Sequence, residues 1–160
     1  MSKKSPYRIQ LVSKPGIVLN DKLFEQVKSL DHKYFAGCFN QFKELDGYWW
    51  VILFEGRPIG FGGLRLLDGG QTGHLCRAAV SNKHRGNGLQ KKLIKLRLKK
   101  IKELRLKQAV AYTINNPISA NNLIKCGFLT YLPSKNWSKA KGSLYLRKVF
   151  EYDKTSKKNV

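Results

Sequence analysis

Acidic residues are scarce in this chain: 10 Asp and Glu stand against 31 Lys and Arg, leaving a formal charge of +21 over 160 residues. That imbalance disfavours cationic partners such as polyamines and points to an anionic ligand or partner. Cysteine is scarce as well. Cys38, Cys76 and Cys126 are odd in number and far apart, with no C-x-x-C pair, so neither a disulfide framework nor a metal site is expected, and a reducing compartment fits. Long apolar runs are missing too. The longest, Tyr48 to Phe54, falls well short of the roughly 20 residues that span a bilayer, and no apolar signal region follows Met1-Ser2-Lys3-Lys4. A soluble cytoplasmic protein, monomer or homodimer, with no membrane partner is the expectation. What is present, 42% hydrophobic residues without an internal repeat, suffices for one core. A single domain over 1–152 with a basic, disordered tail at 153–160 follows.

The pattern predicts a strand at Tyr7 to Val12, a break at Pro15-Gly16, and a helix capped by Asn20 whose Leu23, Phe24, Val27 and Leu30 share a face. A second helical stripe runs through Tyr34, Phe35, Cys38, Phe39 and Phe42. Tyr48 to Phe54 and Ile59 to Leu64 flank Glu55-Gly56-Arg57-Pro58 and read as an antiparallel hairpin. A strand from Thr72 to Val80 then ends in the basic loop Ser81 to Gly88. Leu89, Leu93, Ile94, Leu96, Ile101 and Leu104 form the next helical stripe, with Arg97 and Lys100 inside its apolar arc and expected to snorkel outward. A strand at Ala109 to Ile114, a helix from Pro117 to Cys126, and strands near Phe128 to Leu132 and Leu144 to Phe150 complete a mixed α/β sandwich with some parallel pairing.

The chemistry concentrates in Arg85-Gly86-Asn87-Gly88-Leu89-Gln90, between a strand end and a helix start. Free backbone N–H groups and the positive end of the helix dipole make such a place an anion site, and Arg85 adds a guanidinium fork suited to phosphate. A glycine-containing left-handed turn with solvated charges has the same composition. No Gly-Lys-Ser/Thr closes the stretch, and the third glycine of a dinucleotide fingerprint is missing, so neither of those phosphate motifs applies.

This block resembles motif A of the GNAT superfamily of acyl-CoA-dependent N-acetyltransferases, Arg/Gln-x-x-Gly-x-Gly/Ala straight after a strand, with Gln90 in place of the usual final small residue. Asn116-Pro117-Ile118-Ser119-Ala120-Asn121-Asn122-Leu123-Ile124-Lys125-Cys126-Gly127-Phe128 is similar to the family's motif B, a helix leading into Gly-Phe. The resemblance implies a GNAT-like α/β fold: a mixed, mostly antiparallel sheet of six to seven strands, about four helices, and a splayed parallel strand pair that binds the cofactor. It implies acetyl-CoA as cosubstrate. Pantetheine would pair with the backbone near Ala79 and Val80, the pyrophosphate would rest on Arg85 to Gln90, and Asn116 and Ser119 would contact the cofactor from the opposite side.

Amine acetylation requires a proton to leave an alkyl ammonium, so a base is expected near the strand before motif A. Many relatives place a glutamate there; this strand has His74, with Cys76 two residues on. Gly73 to Val80 is similar to the His-x-His strand of arylalkylamine N-acetyltransferases, with Cys76 at the second position. His74 is the candidate base; Asp68, Asp46 and Glu44 are loop carboxylates that could substitute, and Cys76 reads as apolar filler. The family's usual tyrosine acid falls on Leu123, leaving Tyr131, Tyr112 or solvent. The lysines from Lys91 to Lys107, with Lys135, Lys139, Lys141, Arg147 and Lys148, suit a phosphodiester backbone, with Trp137 available for stacking, or else form a solvated cationic face. The expected function is transfer of an acetyl group to a primary amine, with an acceptor set in RNA, DNA or a ribonucleoprotein. The alternative is an inactive member of the family kept as a nucleic-acid-binding module.

Overall fold

A computed structural model describes residues 5–36, 46–138 and 140–152. The first strand, β1 (Tyr7–Lys14), turns back through the two-residue β2 (Ile17–Val18) into helix α1 (Asp21–Phe35). Asn20 caps α1 as its sequence suggests, its Oδ1 accepting from the Leu23 N–H at 3.0 Å. Tyr34 and Phe35 form the end of α1 rather than the start of a second helix; Cys38, Phe39, Phe42 and Glu44 lie outside the described residues. The tail at 153–160 does so too.

The central hairpin is β3 (Gly47–Phe54) and β4 (Arg57–Leu67), followed by β5 (Thr72–Val80), α2 (Leu89–Glu103), β6 (Gln108–Ile114), α3 (Pro117–Lys125), β7 (Leu129–Thr130) and β8 (Ser143–Val149). All eight strands join one sheet in the order β2-β1-β3-β4-β5-β6-β8-β7. Every neighbouring pair is antiparallel except β5 and β6, whose parallel pairing needs the α2 crossover between them. The fold is therefore the α/β sandwich expected, with three α-helices among the described residues. The strand expected near Phe128 to Leu132 shrinks to two residues, because Phe128 plunges fully into the core while Leu129 and Leu132 face solvent.

Alternation along β3 sends Trp49, Val51 and Leu53 to one face, where they pack with Phe24 and Val27 of α1. Trp50 and Ile52 go to the other face, against Leu93, Ile94 and Ile101 of α2 and Leu123 of α3. The sheet is thus covered on both sides. Gly127 ends α3 with φ 88°, a left-handed C-cap in which the Phe128 N–H returns to the Leu123 carbonyl at 3.2 Å. That is the physical content of the Gly-Phe pair.

Candidate active site

The parallel pairing of β5 with β6 lasts only three residue pairs, Thr72 with Gln108, Gly73 with Ala109 and His74 with Val110. Beyond His74 the strands part. A cavity of about 320 Å³ opens between them, lined by Leu75, Arg77 and Ala78 of β5, by Ala111 to Ile114 of β6, and by Gln90, Asn116, Ser119 and Leu123 at the helix ends. The opposite edge of β5 stays paired to β4, with one bulge at Arg77, which carries φ 41° and has no partner between Gly62 and Gly63.

At the helix end of the cavity the chain passes from Val80 through a short 3-10 turn, Asn82–His84, to the start of α2. The turn is anchored on the far strands: the His84 ring lies 4.7 Å from that of Phe54 and its Nδ1 is 3.3 Å from Tyr7 Oη, while the Ser81 N–H donates to the Ile59 carbonyl at 2.8 Å. Gly86 (φ 81°) and Gly88 (φ 69°) are left-handed, a conformation that favours glycine, and Gly88 at the N-cap brings no side-chain acceptor. The first-turn amides of α2 are consequently left for a ligand. Arg85 is exposed and turns its Nε to the Val80 carbonyl at 3.2 Å; the Asn87 side chain bridges the His84 and Arg85 carbonyls. Leu89 points into the core, so only its main chain faces the loop.

Gln90 has a role that the sequence alone does not disclose. Its Nε2 donates to Ser119 Oγ at 2.9 Å and its Oε1 accepts from Asn122 Nδ2 at 2.7 Å, so it joins α2 to α3 across the cavity. Asn116 caps α3 through the Ser119 N–H at 2.9 Å. Both motif B residues therefore line the cavity while bracing its wall.

The other end is built from aromatic and arginine side chains. His74, buried at 9% exposure, stacks on Tyr112 at 6.0 Å and meets the edge of Trp137 at 5.0 Å. Trp137 in turn packs on Tyr145 at 5.3 Å and donates from Nε1 to Tyr131 Oη at 3.0 Å, so its ring is engaged behind His74 and Tyr112 instead of standing free to stack on a base. Burial, then Arg65 and Arg97, push the imidazole down to about 3, leaving it neutral at pH 7. Burial pushes the Cys76 thiol up to about 11, consistent with a filler role. Leu123 lines the cavity at the position of the family's tyrosine; of the phenols named as replacements, Tyr112 reaches the wall and Tyr131 is covered by the Arg147 guanidinium at 4.9 Å.

Arg97 overturns the snorkelling expectation. At 2% exposure it turns inward under the sheet, with Nε donating to the Leu93 carbonyl and Nη1 to those of Gly63 and Cys76, at 3.2, 3.2 and 3.5 Å. Main-chain carbonyls at the bulge solvate the charge where no water is at hand; Lys100, lacking that fork, stays at the surface over Tyr48. The interruption of the apolar stripe at 97 was the only sequence signal. Of the loop carboxylates, Asp46 pairs with Arg65 and Asp68 is exposed.

The sequence model of the acetyltransferase (GNAT) family matches residues 17–128. The chain belongs to the GNAT acetyltransferase family. No curated protein matches it. Solved structures share its fold at low identity. An acetyltransferase from Streptococcus agalactiae has a TM-score of 0.68 at 15% identity, covering 92% of this chain and 100% of its own. The ribosomal-protein-S5-alanine acetyltransferase of Vibrio fischeri has 0.68 at 13%, covering 92% and 94%. A GNAT family acetyltransferase from Elizabethkingia anophelis, with acetyl-CoA bound, has 0.60 at 20%, covering 92% and 100%. Acetyl-CoA is the family's cosubstrate. Among the described residues no group of His, Cys, Asp and Glu is arranged to hold a metal, and no helix is long and apolar enough to cross a membrane.

Proposed function

We propose that this GNAT protein is an acetyl-CoA-dependent N-acetyltransferase acting on a primary amine, the reading carried by the cavity between the parted β5 and β6. Its shape fits the cofactor by three independent features of this chain. The amides from Gly86 to Gln90 suit a pyrophosphate, with Arg85 beside them. The unpaired edge of β5 leading to Ala79 and Val80 offers main-chain groups to pantetheine amides. The far end is lined by the rings of Phe35, His74 and Tyr112. Acetyl-CoA, when bound, supplies an acyl carbon activated as a thioester: a C–N bond forms as the C–S bond breaks, and the departing thiolate takes up a proton.

The chain's own residues then do the rest. Gln90, Ser119 and Asn116 hold the two helix ends at a fixed spacing around the cavity. His74, neutral and locked between Tyr112 and Trp137, accepts the N–H proton of the acceptor as its lone pair is used. Arg97 holds the bulged main chain of β5 in place from below. Transfer of radiolabelled acetyl groups from acetyl-CoA to amine probes tests the reading, and His74→Ala is expected to lower kcat with little change in acetyl-CoA affinity. An unchanged rate and pH profile in that variant would remove His74 from the reaction.

A second feature favours an acceptor in a phosphate-rich setting. Lys95, Lys99 and Lys102 of α2, Lys125 of α3 and Lys148 of β8 line a groove of about 600 Å³ on the side of α2 away from the cavity. Lys148 Nζ is fixed there by the Cys126 carbonyl at 2.8 Å. Five lysines on one groove suit the backbone of single-stranded RNA, and neutralising five phosphates gives a log–log salt slope of about −3.5. Anisotropy of a labelled oligonucleotide between low and moderate salt measures it, and a flat response refutes the association. RNA binding together with no acetyl-CoA binding would instead favour the inactive-module alternative.

A further inference from the structure

The acceptor end of the cavity carries more information than the transfer reaction itself, and this inference rests on the transferase reading above. Two guanidinium groups line it and a third stands beside His74. Arg65 stands directly opposite His74 in the β4–β5 register, Arg77 projects from the bulge, and Arg97 approaches from beneath. The two carboxylates beside them are already committed. Asp46 takes both Nε and Nη2 of Arg65 at 3.0 and 2.6 Å, and Asp31, itself buried in α1, lies 3.2 Å from Arg77 Nη1. Arg77 is further pinned by the Phe35 ring, 5.0 Å from its Cζ. Arg97 meets main-chain carbonyls and no carboxylate among the described residues. Among the described residues the local balance is one positive charge in excess, beside the rings of Phe35, His74 and Tyr112, where a like charge is weakly screened.

A protonated amine entering here meets repulsion and finds no free carboxylate among the described residues. Its extra proton would have to pass to His74 before attack, leaving that imidazole charged and unable to accept the N–H proton released as the C–N bond forms. We propose that the acceptor is a weakly basic amine, an α-amino group or an arylamine that arrives with its nitrogen neutral, and that alkyl ammonium groups such as a lysine side chain are rejected. The depressed basicity of His74 agrees with this geometry. At pH 7 about 15% of α-amino groups are neutral against about 0.04% of lysine side chains, from pKa values near 7.8 and 10.4. The flat rings of Phe35 and Tyr112 on the cavity wall suit the planar face of an arylamine equally well.

The test compares three acceptors with the intact protein: a lysine-free peptide with an unblocked N-terminus, the same peptide N-blocked and carrying one lysine, and 4-aminobenzoate. Acetyl-CoA binding is followed in parallel by calorimetry. The expected result is kcat/KM at pH 7 at least about 100-fold higher for the α-amino peptide or the arylamine than for the lysine peptide. Which of the two is faster identifies the source of the amine. The α-amino profile should climb with pH to that amine's own pKa near 8 and then level, with no inflection from His74 near 6.5. Equal or faster use of the lysine peptide overturns the inference and leaves the transferase reading intact. So does acetyl-CoA binding without transfer to either weakly basic amine. Failure to bind acetyl-CoA overturns both.

Discussion

The loop beside the helix end of the cavity presents main chain; the far end of the cavity presents side chains. The cofactor end is a run of amides made available by glycine geometry, open to solvent and anchored from outside by His84 on Phe54 and Tyr7. The acceptor end is lined by His74, Tyr112 and Phe35 beside Arg77 and the buried Arg97, with Trp137 and Tyr145 packed behind the first two. The first, on the proposed reading, receives the family's cosubstrate and needs little beyond a backbone shape. The second, on the same reading, sets what may enter and does so with side chains.

If the contrast holds, the acceptor end should dominate pH sensitivity. His74 is held at about 3 in the folded protein against 6.5 unfolded, so between those values the unfolded chain binds the extra proton. Stability is therefore full above about pH 6.5 and falls as pH drops toward 3, by up to ~1.4 kcal/mol per pH unit and several kcal/mol in all. Asp31, raised by burial ahead of the opposing pull of Arg77, acts in the opposite sense once the carboxylate range is reached. Urea titrations from pH 7.5 to 4.5 measure the slope, and His74→Gln should flatten it.

Next in size is Arg97. Truncation to Ala removes three bonds to carbonyls and leaves a hole beneath the bulge, an expected loss of about 3 kcal/mol. Arg97→Met fills the space without the buried charge and should cost no more than about 1 kcal/mol, because a desolvated cation without a counter-ion stabilises little. The Met variant should also shift the His74 imidazole upward, which NMR titration of its ring protons reports. An unchanged imidazole would separate the two residues and weaken the description of the acceptor end as one electrostatic unit. At the cofactor end, Gln90→Ala should cost about 1 kcal/mol through the lost bridge to Ser119 and Asn122 and weaken acetyl-CoA binding a few-fold. Asn116→Ala, which removes the cap of α3, should lower stability by about as much or less.

The same division explains what could be read from sequence. The strand after Thr72, the glycine loop, the helix with its apolar stripe and the Gly-Phe stop are local devices, and each formed where its residues indicated. The central hairpin followed from the two β-rich runs on either side of Glu55-Gly56-Arg57-Pro58. Arg97 was misread because periodicity reports which face a residue occupies but not what awaits it there; the bulge at Arg77 that turns carbonyls toward it arises from a register shift between two strands. Trp137 was misread for a similar reason: it lies 63 positions from His74 and 25 from Tyr112, and only the β6–β8 pairing brings that loop over the cavity. Gln90 stands where the family pattern has a small residue, and the partners that explain it, Ser119 and Asn122, are 29 and 32 residues away on another helix.

The account depends most directly on the amides around Gly88 receiving a diphosphate, and calorimetric titration of acetyl-CoA into the wild-type protein and Gly88→Val reads that dependence. The left-handed φ of 69° makes valine strained by about 1–2 kcal/mol or more and puts its branched side chain at the loop. The prediction is one-to-one binding by the wild type, weakened at least about tenfold in Gly88→Val with the circular dichroism spectrum preserved. No heat from the wild type, or equal affinity in the folded variant, would contradict it.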